Sequence, residues 1–83
     1  MDIHHLVKMA NQIGDFFTPY PDRNEVTNSI AVHLKNSWEP RMRRQIIDYV
    51  YDTGGPDLKP AVREAVLSLE PRAAVIGEAP GND

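Results

Sequence analysis

The sequence predicts a small all-α domain built from four helices with short connections. Three observations support this fold class: apolar residues recur at helical spacing, prolines and glycines interrupt the chain at intervals, and no segment alternates as a β-strand would. A chain of 83 residues is large enough for one domain at most. We therefore expect a helical domain over residues 1–70 and a disordered tail over residues 71–83.

The first helix is predicted from Asp2 to Phe17. The segment Thr18-Pro19-Tyr20-Pro21 cannot continue it, because proline lacks the amide hydrogen and clashes with the preceding turn. The predicted inward stripe of this helix consists of Ile3, Leu6, Val7, Ala10, Ile13, Gly14 and Phe17.

The second helix is predicted to begin at Asp22 and to run to about Asn36. Asp22 and Glu25 have the spacing of a capping box, in which side chains and backbone N–H groups pair at a helix start. The predicted inward stripe consists of Val26, Ile30, His33, Leu34 and Ser37.

The third and fourth helices are predicted to begin near Pro40 and Pro60, since proline is tolerated in the first turn of a helix. Gly54-Gly55 ends the third helix and Pro71 limits the shorter fourth. The predicted inward stripe of the third helix consists of Met42, Ile46, Tyr49, Val50 and Thr53. The stripe associated with the fourth consists of Leu58, Val62, Ala65, Val66 and Leu69.

Composition excludes several classes of site. The chain has no cysteine, so disulfides, thiolate metal sites and a cysteine nucleophile are excluded. We expect a cytoplasmic protein without a membrane segment, because no apolar run approaches the length of a span or of a secretion signal. The net charge of −3 offers no general attraction for nucleic acid, although basic residues concentrate around the single tryptophan.

Two predicted helices carry apolar residues on a second face. On the first helix this face consists of His5, Met9, Gln12 and Phe16. On the third it consists of Arg44, Ile47 and Tyr51. Either the fold or the segment 73–76 covers these faces, or they are a surface for a protein partner, for which methionine, tyrosine and arginine are favoured types.

Trp38 lies where the second helix ends and the third begins. We interpret it as a core residue at this joint whose indole N–H needs an acceptor. Arg41, Arg43 and Arg44 follow at the start of the third helix, where the helix dipole disfavours cations. This mismatch favours an external anion, first a carboxylate-rich protein surface and second a phosphate group.

No catalytic or metal-binding set emerges from the titratable residues. His4 and His5 point about 100° apart on a helix and lack a carboxylate at metal-site spacing. We expect His33 to be a hydrogen-bonded core or interface histidine rather than a base. We predict no catalytic, cofactor-binding or metal-ligating residue.

Several runs together resemble a known family. They are Val7 to Ile13 with Phe16-Phe17, His33-Leu34 leading to Trp38-Glu39-Pro40-Arg41-Met42-Arg43, then Gly54-Gly55, and Leu58 before Val62 to Val66. These runs resemble the delta subunit of the cytoplasmic, NAD-dependent, molybdenum-containing formate dehydrogenases of bacteria. The resemblance covers about residues 1–69, and its most specific part begins at Trp38.

This resemblance implies a non-catalytic accessory subunit. Its main partner would be the large catalytic subunit, which holds bis-molybdopterin guanine dinucleotide and iron–sulfur clusters and oxidises formate to carbon dioxide. Electrons would pass to NAD through other subunits of the complex, where FMN is also expected. The chain would support assembly, stability or cofactor insertion and would hold no cofactor itself, in agreement with the absence of cysteine.

The resemblance carries over to the Trp38–Arg43 run, and helical geometry adds the remaining candidates. The predicted partner interface consists of Trp38, Glu39, Arg41, Arg43, Arg44, Met9, Phe16, Ile47 and Tyr51. One alternative is a stand-alone regulatory or nucleic-acid-binding module that uses the three arginines, against which the net charge argues. A small stand-alone enzyme is a second alternative, disfavoured because no catalytic constellation was found.

Overall fold

The protein folds into four α-helices in a computed structural model that describes residues 2–69. The helices are α1 (Ile3–Phe17), α2 (Arg23–Ser37), α3 (Pro40–Thr53) and α4 (Pro60–Ser68). The predicted all-α class and the number of helices are confirmed. The predicted tail, residues 71–83, lies outside the described residues. Of the four helices, none is long and apolar enough to cross a membrane.

The helix ends follow local chemistry. The carboxylates of Asp2 and Asp22 accept hydrogen bonds from the backbone N–H groups of His4 and Asn24, at 3.0 and 2.9 Å, and so cap α1 and α2. At the end of α3, Gly54 has a left-handed φ of 84°, which glycine adopts without steric cost. The boundaries therefore agree with the predicted ones within one or two residues.

The core lies between α4 and the three longer helices. The short α4 packs against each of them, most extensively against α2, whereas α2 and α3 diverge from their joint and make little contact. The largest fully buried side chains are Leu6, Ile30, Leu34, Ile46, Val62 and Val66. The fold thus leaves a gap between two consecutive helices.

Three residues predicted to point inward are exposed instead: His33, Ser37 and Thr53. His33 lies beside the buried ridge of α2 rather than on it, because that ridge follows strict four-residue spacing through Ile30 and Leu34. Thr53 ends its helix: its hydroxyl donates to the carbonyl of Tyr49 and accepts from the Gly55 N–H.

The loop before α4 is attached to α1 by the side chain of Asn11 and by a salt bridge between Lys59 and Asp15, whose Nζ and Oδ1 atoms are 3.0 Å apart. Asn11 donates from Nδ2 to the carbonyl of Asp57 and accepts at Oδ1 from the N–H of Lys59, both at 3.0 Å. The Asp57 carboxylate also accepts a short hydrogen bond from the Tyr49 hydroxyl, which raises the pKa of that phenol above its ordinary value. This loop is therefore fixed to both α1 and α3.

Helices α1 and α4 approach closely at Gly14, and we expect Gly14→Ala to destabilise the domain by about 1–3 kcal/mol. An added Cβ would lie 2.5 Å from Cγ2 of Val62, a fully buried side chain. The measurement is urea unfolding followed by circular dichroism. Helix propensity alone predicts the opposite sign, a gain of up to about 1 kcal/mol, so a stabilised variant would contradict this close contact.

Candidate functional site

A shallow apolar groove of about 430 Å³ runs between the second half of α1 and the joint of α2 and α3. We call it the Trp38 groove. Its lining residues are Met9, Gln12, Ile13, Phe16, Phe17, His33 and Trp38. Of the predicted interface, Met9 and Phe16 therefore lie together with Trp38, although they are far apart in sequence.

Aromatic rings form one wall of this groove. Phe17 packs edge-to-face against Phe16, with ring centroids 5.0 Å apart, and against Tyr20 at 5.8 Å. The imidazole of His33 packs against the same ring at 6.4 Å. Edge-to-face pairs hold rings in fixed orientations, so the groove wall is preformed at the end of α1.

The groove contains both a buried and an exposed aromatic residue. Trp38 is only 6% exposed and belongs to the core, as predicted, while Phe16 is 72% exposed. Met9 is partly buried, so its exposure lies between those of Trp38 and Phe16, and its side chain packs against the core. Within residues 2–69 the indole N–H of Trp38 has no hydrogen-bond acceptor. The groove thus combines the exposed apolar area of Phe16 with the edge of a buried core tryptophan.

Arg43 has a structural partner inside the domain. Its Nη1 donates to the carbonyl of Trp38 at 2.5 Å and to that of Lys35 at 3.2 Å, both at the end of α2. These carbonyls have no partner in their own helix, and a guanidinium is a suitable donor for them. Arg43 therefore fixes the joint between α2 and α3. The expectation that all three arginines bind an external anion is wrong for Arg43, whose guanidinium binds carbonyls of its own domain.

We expect Arg43→Ala to destabilise the domain by about 1–2 kcal/mol, because two carbonyls at the joint lose a charged donor. The neighbouring Arg41→Ala is the matched control and should change stability by no more than about 0.5 kcal/mol, since Arg41 is exposed. Urea unfolding of both variants measures the difference. Equal losses in the two variants would show that the Arg43 hydrogen bonds contribute nothing specific.

Arg41, Arg44 and Glu39 are exposed around the start of α3. Neither arginine forms a salt bridge within the part of the chain that the structure describes. Glu39 occupies the N-cap position of α3, and its backbone carbonyl accepts from the Arg43 N–H at 3.0 Å. A basic surface patch therefore adjoins the joint that carries Trp38.

The second face predicted for α3 is only partly exposed. Tyr51 is 45% exposed, but Ile47 is 6% exposed and belongs to the core, so its prediction as a surface residue is wrong. The reason is that α3 packs against both α1 and α4, which buries adjacent positions 46 and 47 on a broad arc. Neither Ile47 nor Tyr51 lines the Trp38 groove.

Sequence reasoning missed three members of this groove: Ile13, Phe17 and His33. All three were assigned to inward stripes, and the structure leaves Ile13 and Phe17 half-buried and His33 exposed. A usable signal existed in the aromatic pair Phe16-Phe17 immediately before a proline-containing turn. Rings that end a helix have no further turn of that helix to cover them.

No group of three or more histidine or acidic side chains able to hold a metal occurs in residues 2–69. The described surface carries apolar grooves and the exposed Arg41 and Arg44. Such an arrangement is suited to binding a protein surface.

The chain matches a known protein family. The family model described as the NADH-dependent formate dehydrogenase delta subunit FdsD matches residues 5–66. Neither a curated protein nor a solved structure matches the chain significantly. The matched range includes the whole Trp38 groove and the start of α3.

Proposed function

The chain belongs to the family of NADH-dependent formate dehydrogenase delta subunits, and from this we propose that it is a non-catalytic accessory subunit of a cytoplasmic formate dehydrogenase. It binds the large molybdopterin-containing catalytic subunit and supports assembly, stability or cofactor insertion. The resemblance inferred from sequence and the family match agree on this family.

The observation that supports docking on a protein partner is the Trp38 groove. Exposed aromatic area that adjoins a buried tryptophan is typical of interface anchors, which cluster in desolvated pockets. Phe16 is 72% exposed, so a partner side chain that covers it would remove a large apolar area from water. The indole N–H of Trp38 would gain an acceptor from the same partner.

The basic patch at the start of α3 supplies charge recognition. Arg41 and Arg44 are exposed beside the joint, and arginine pairs with carboxylates through two parallel hydrogen bonds. We therefore propose that the partner surface offers an apolar ridge for the groove and acidic side chains for these two arginines.

In this proposal the redox chemistry lies in other subunits. The large subunit holds bis-molybdopterin guanine dinucleotide and iron–sulfur clusters, and further subunits bind FMN and NAD. The absence of cysteine in the chain supports this division, because iron–sulfur clusters are held mainly by cysteine thiolates.

The direct test is purification of the tagged full chain from cells that also express the large and NAD-binding subunits. We expect the large subunit to co-purify and the eluate to reduce NAD with formate. A strain that lacks this chain should yield less assembled enzyme or enzyme with less bound cofactor. Recovery of the chain alone, or with nucleic acid, would overturn the proposal.

A charge reversal tests the basic patch. We expect Arg41→Glu and Arg44→Glu each to weaken binding of the large subunit by about five- to tenfold at low salt, with a smaller effect at high salt, because exposed charges are screened. Binding is measured by biolayer interferometry at two salt concentrations. Lys8→Glu makes the same change of charge on α1 and should have little effect. Equal losses in all three variants would point to net charge alone.

A further inference from the structure

A second groove, of about 460 Å³, opens where α2 and α3 diverge, and we call it the α2–α3 groove. Its lining residues are Asn28, Ala31, Val32, Lys35, Arg43, Ile47, Ser68 and Leu69. On the α2 side of the groove Val32 is 47% exposed, whereas on the α3 side Ile47 is buried in the core. Ser68 and Leu69, at the end of α4, form one end of the groove and are the last described residues of the chain.

The position of Leu69 makes the sequence that follows it a candidate occupant. Leu69 lines the groove, and the sequence continues from it through Glu70-Pro71-Arg72 to the apolar run Ala73-Ala74-Val75-Ile76. Ile76 lies seven positions after Leu69, and an extended chain of this length can span up to about 23 Å. The groove side of α2, from Asn28 to Lys35, is about 11 Å long at 1.5 Å per residue. The apolar run can therefore reach every lining residue.

The chemistry of the run is also suited to the groove. The apolar lining from Ala31, Val32 and Leu69 matches four consecutive apolar residues. The segment 70–78 contains Glu70, Arg72 and Glu78 and so carries a net charge of −1, and the exposed Lys35 lies on the groove rim. A net acidic segment and a basic rim are complementary.

We propose that residues 73–76 of the same chain bind in the α2–α3 groove and cover Val32. The family match ends at residue 66, so this contact would be an addition to the matched domain and does not depend on the proposed function. It also leaves the Trp38 groove available to a partner.

Disulfide trapping tests this contact in the isolated full chain, which has no cysteine of its own. We expect Val32→Cys combined with Val75→Cys to form an intramolecular disulfide at least about tenfold faster than Lys8→Cys combined with Val75→Cys. Lys8 is exposed on α1, which contributes no residue to the groove. Non-reducing electrophoresis and intact mass distinguish the products. Equal rates, or disulfide-linked dimers as the main product, would overturn the proposal.

A second measurement does not need cysteines. The double variant Val75→Asp with Ile76→Asp should raise hydrogen exchange of the backbone amides of Ala31, Val32 and Ile47 by about tenfold, because helices that lose a covering contact open more often. Ala79→Asp adds a charge outside the apolar run and is the control. Unchanged exchange in the double variant would overturn the proposal. Since no formate dehydrogenase subunit is present, failure here would leave the proposed docking through the Trp38 groove unaffected.

Discussion

Replacing Trp38 with alanine is expected to destabilise the domain by about 3–5 kcal/mol, the largest effect of any single change considered. Trp38 is 6% exposed and connects α2 and α3 within the core. A domain of this size has a free energy of unfolding of about 5–10 kcal/mol, so the substitution would remove a large part of it. Urea unfolding followed by circular dichroism measures it, because the variant has no tryptophan fluorescence.

The conservative variant Trp38→Phe separates packing from the indole donor. Trp38→Phe should lose less than half as much stability as Trp38→Ala, since most of the apolar volume is retained. If Trp38→Ala cost less than about 1 kcal/mol, the burial of this side chain would not contribute to stability as argued.

Replacing Phe16 with alanine is expected to weaken binding of the large subunit by about thirtyfold or more, equivalent to about 2 kcal/mol. Stability should change by no more than about 0.5 kcal/mol, because the side chain is 72% exposed in the free chain. The two effects are measured on the same protein preparation, binding by interferometry and stability by urea unfolding. A variant that binds poorly but remains folded identifies Phe16 as an interface anchor.

Two controls sharpen this result. His4→Ala alters an exposed side chain on α1 outside the Trp38 groove and should leave binding unchanged. Tyr51→Ala removes an exposed aromatic side chain from α3, also outside that groove. A larger loss of affinity for Tyr51→Ala than for Phe16→Ala would move the docking surface from the groove to α3.

The helices could be predicted from sequence because their ends depend on nearby residues. Asp2 and Asp22 cap the helices that they precede, and Gly54 supplies the left-handed residue that ends α3. Each of these interactions involves residues no more than four apart along the chain. Such local interactions can be predicted from a single sequence.

The details of the surface could not be predicted in the same way, because they depend on how the helices pack. Ile47 is buried because α3 packs against both α1 and α4, and His33 is exposed because the core ridge of α2 is narrow. Arg43 lies among two other arginines in sequence, yet it alone reaches the carbonyls that end α2. Helical periodicity gives the direction of a side chain but not its neighbours.

The central position of α4 has a consequence for synthesis on the ribosome. Helix α4 packs against all three helices made before it, and the most extensive helix pair joins α2 to this last element. The inner face of α2 therefore stays without its main partner until residues 60–68 have left the exit tunnel. Nascent chains of this protein should complete their folding only after nearly all of the domain has been translated, and chaperones would meet exposed Ile30 and Leu34 until then.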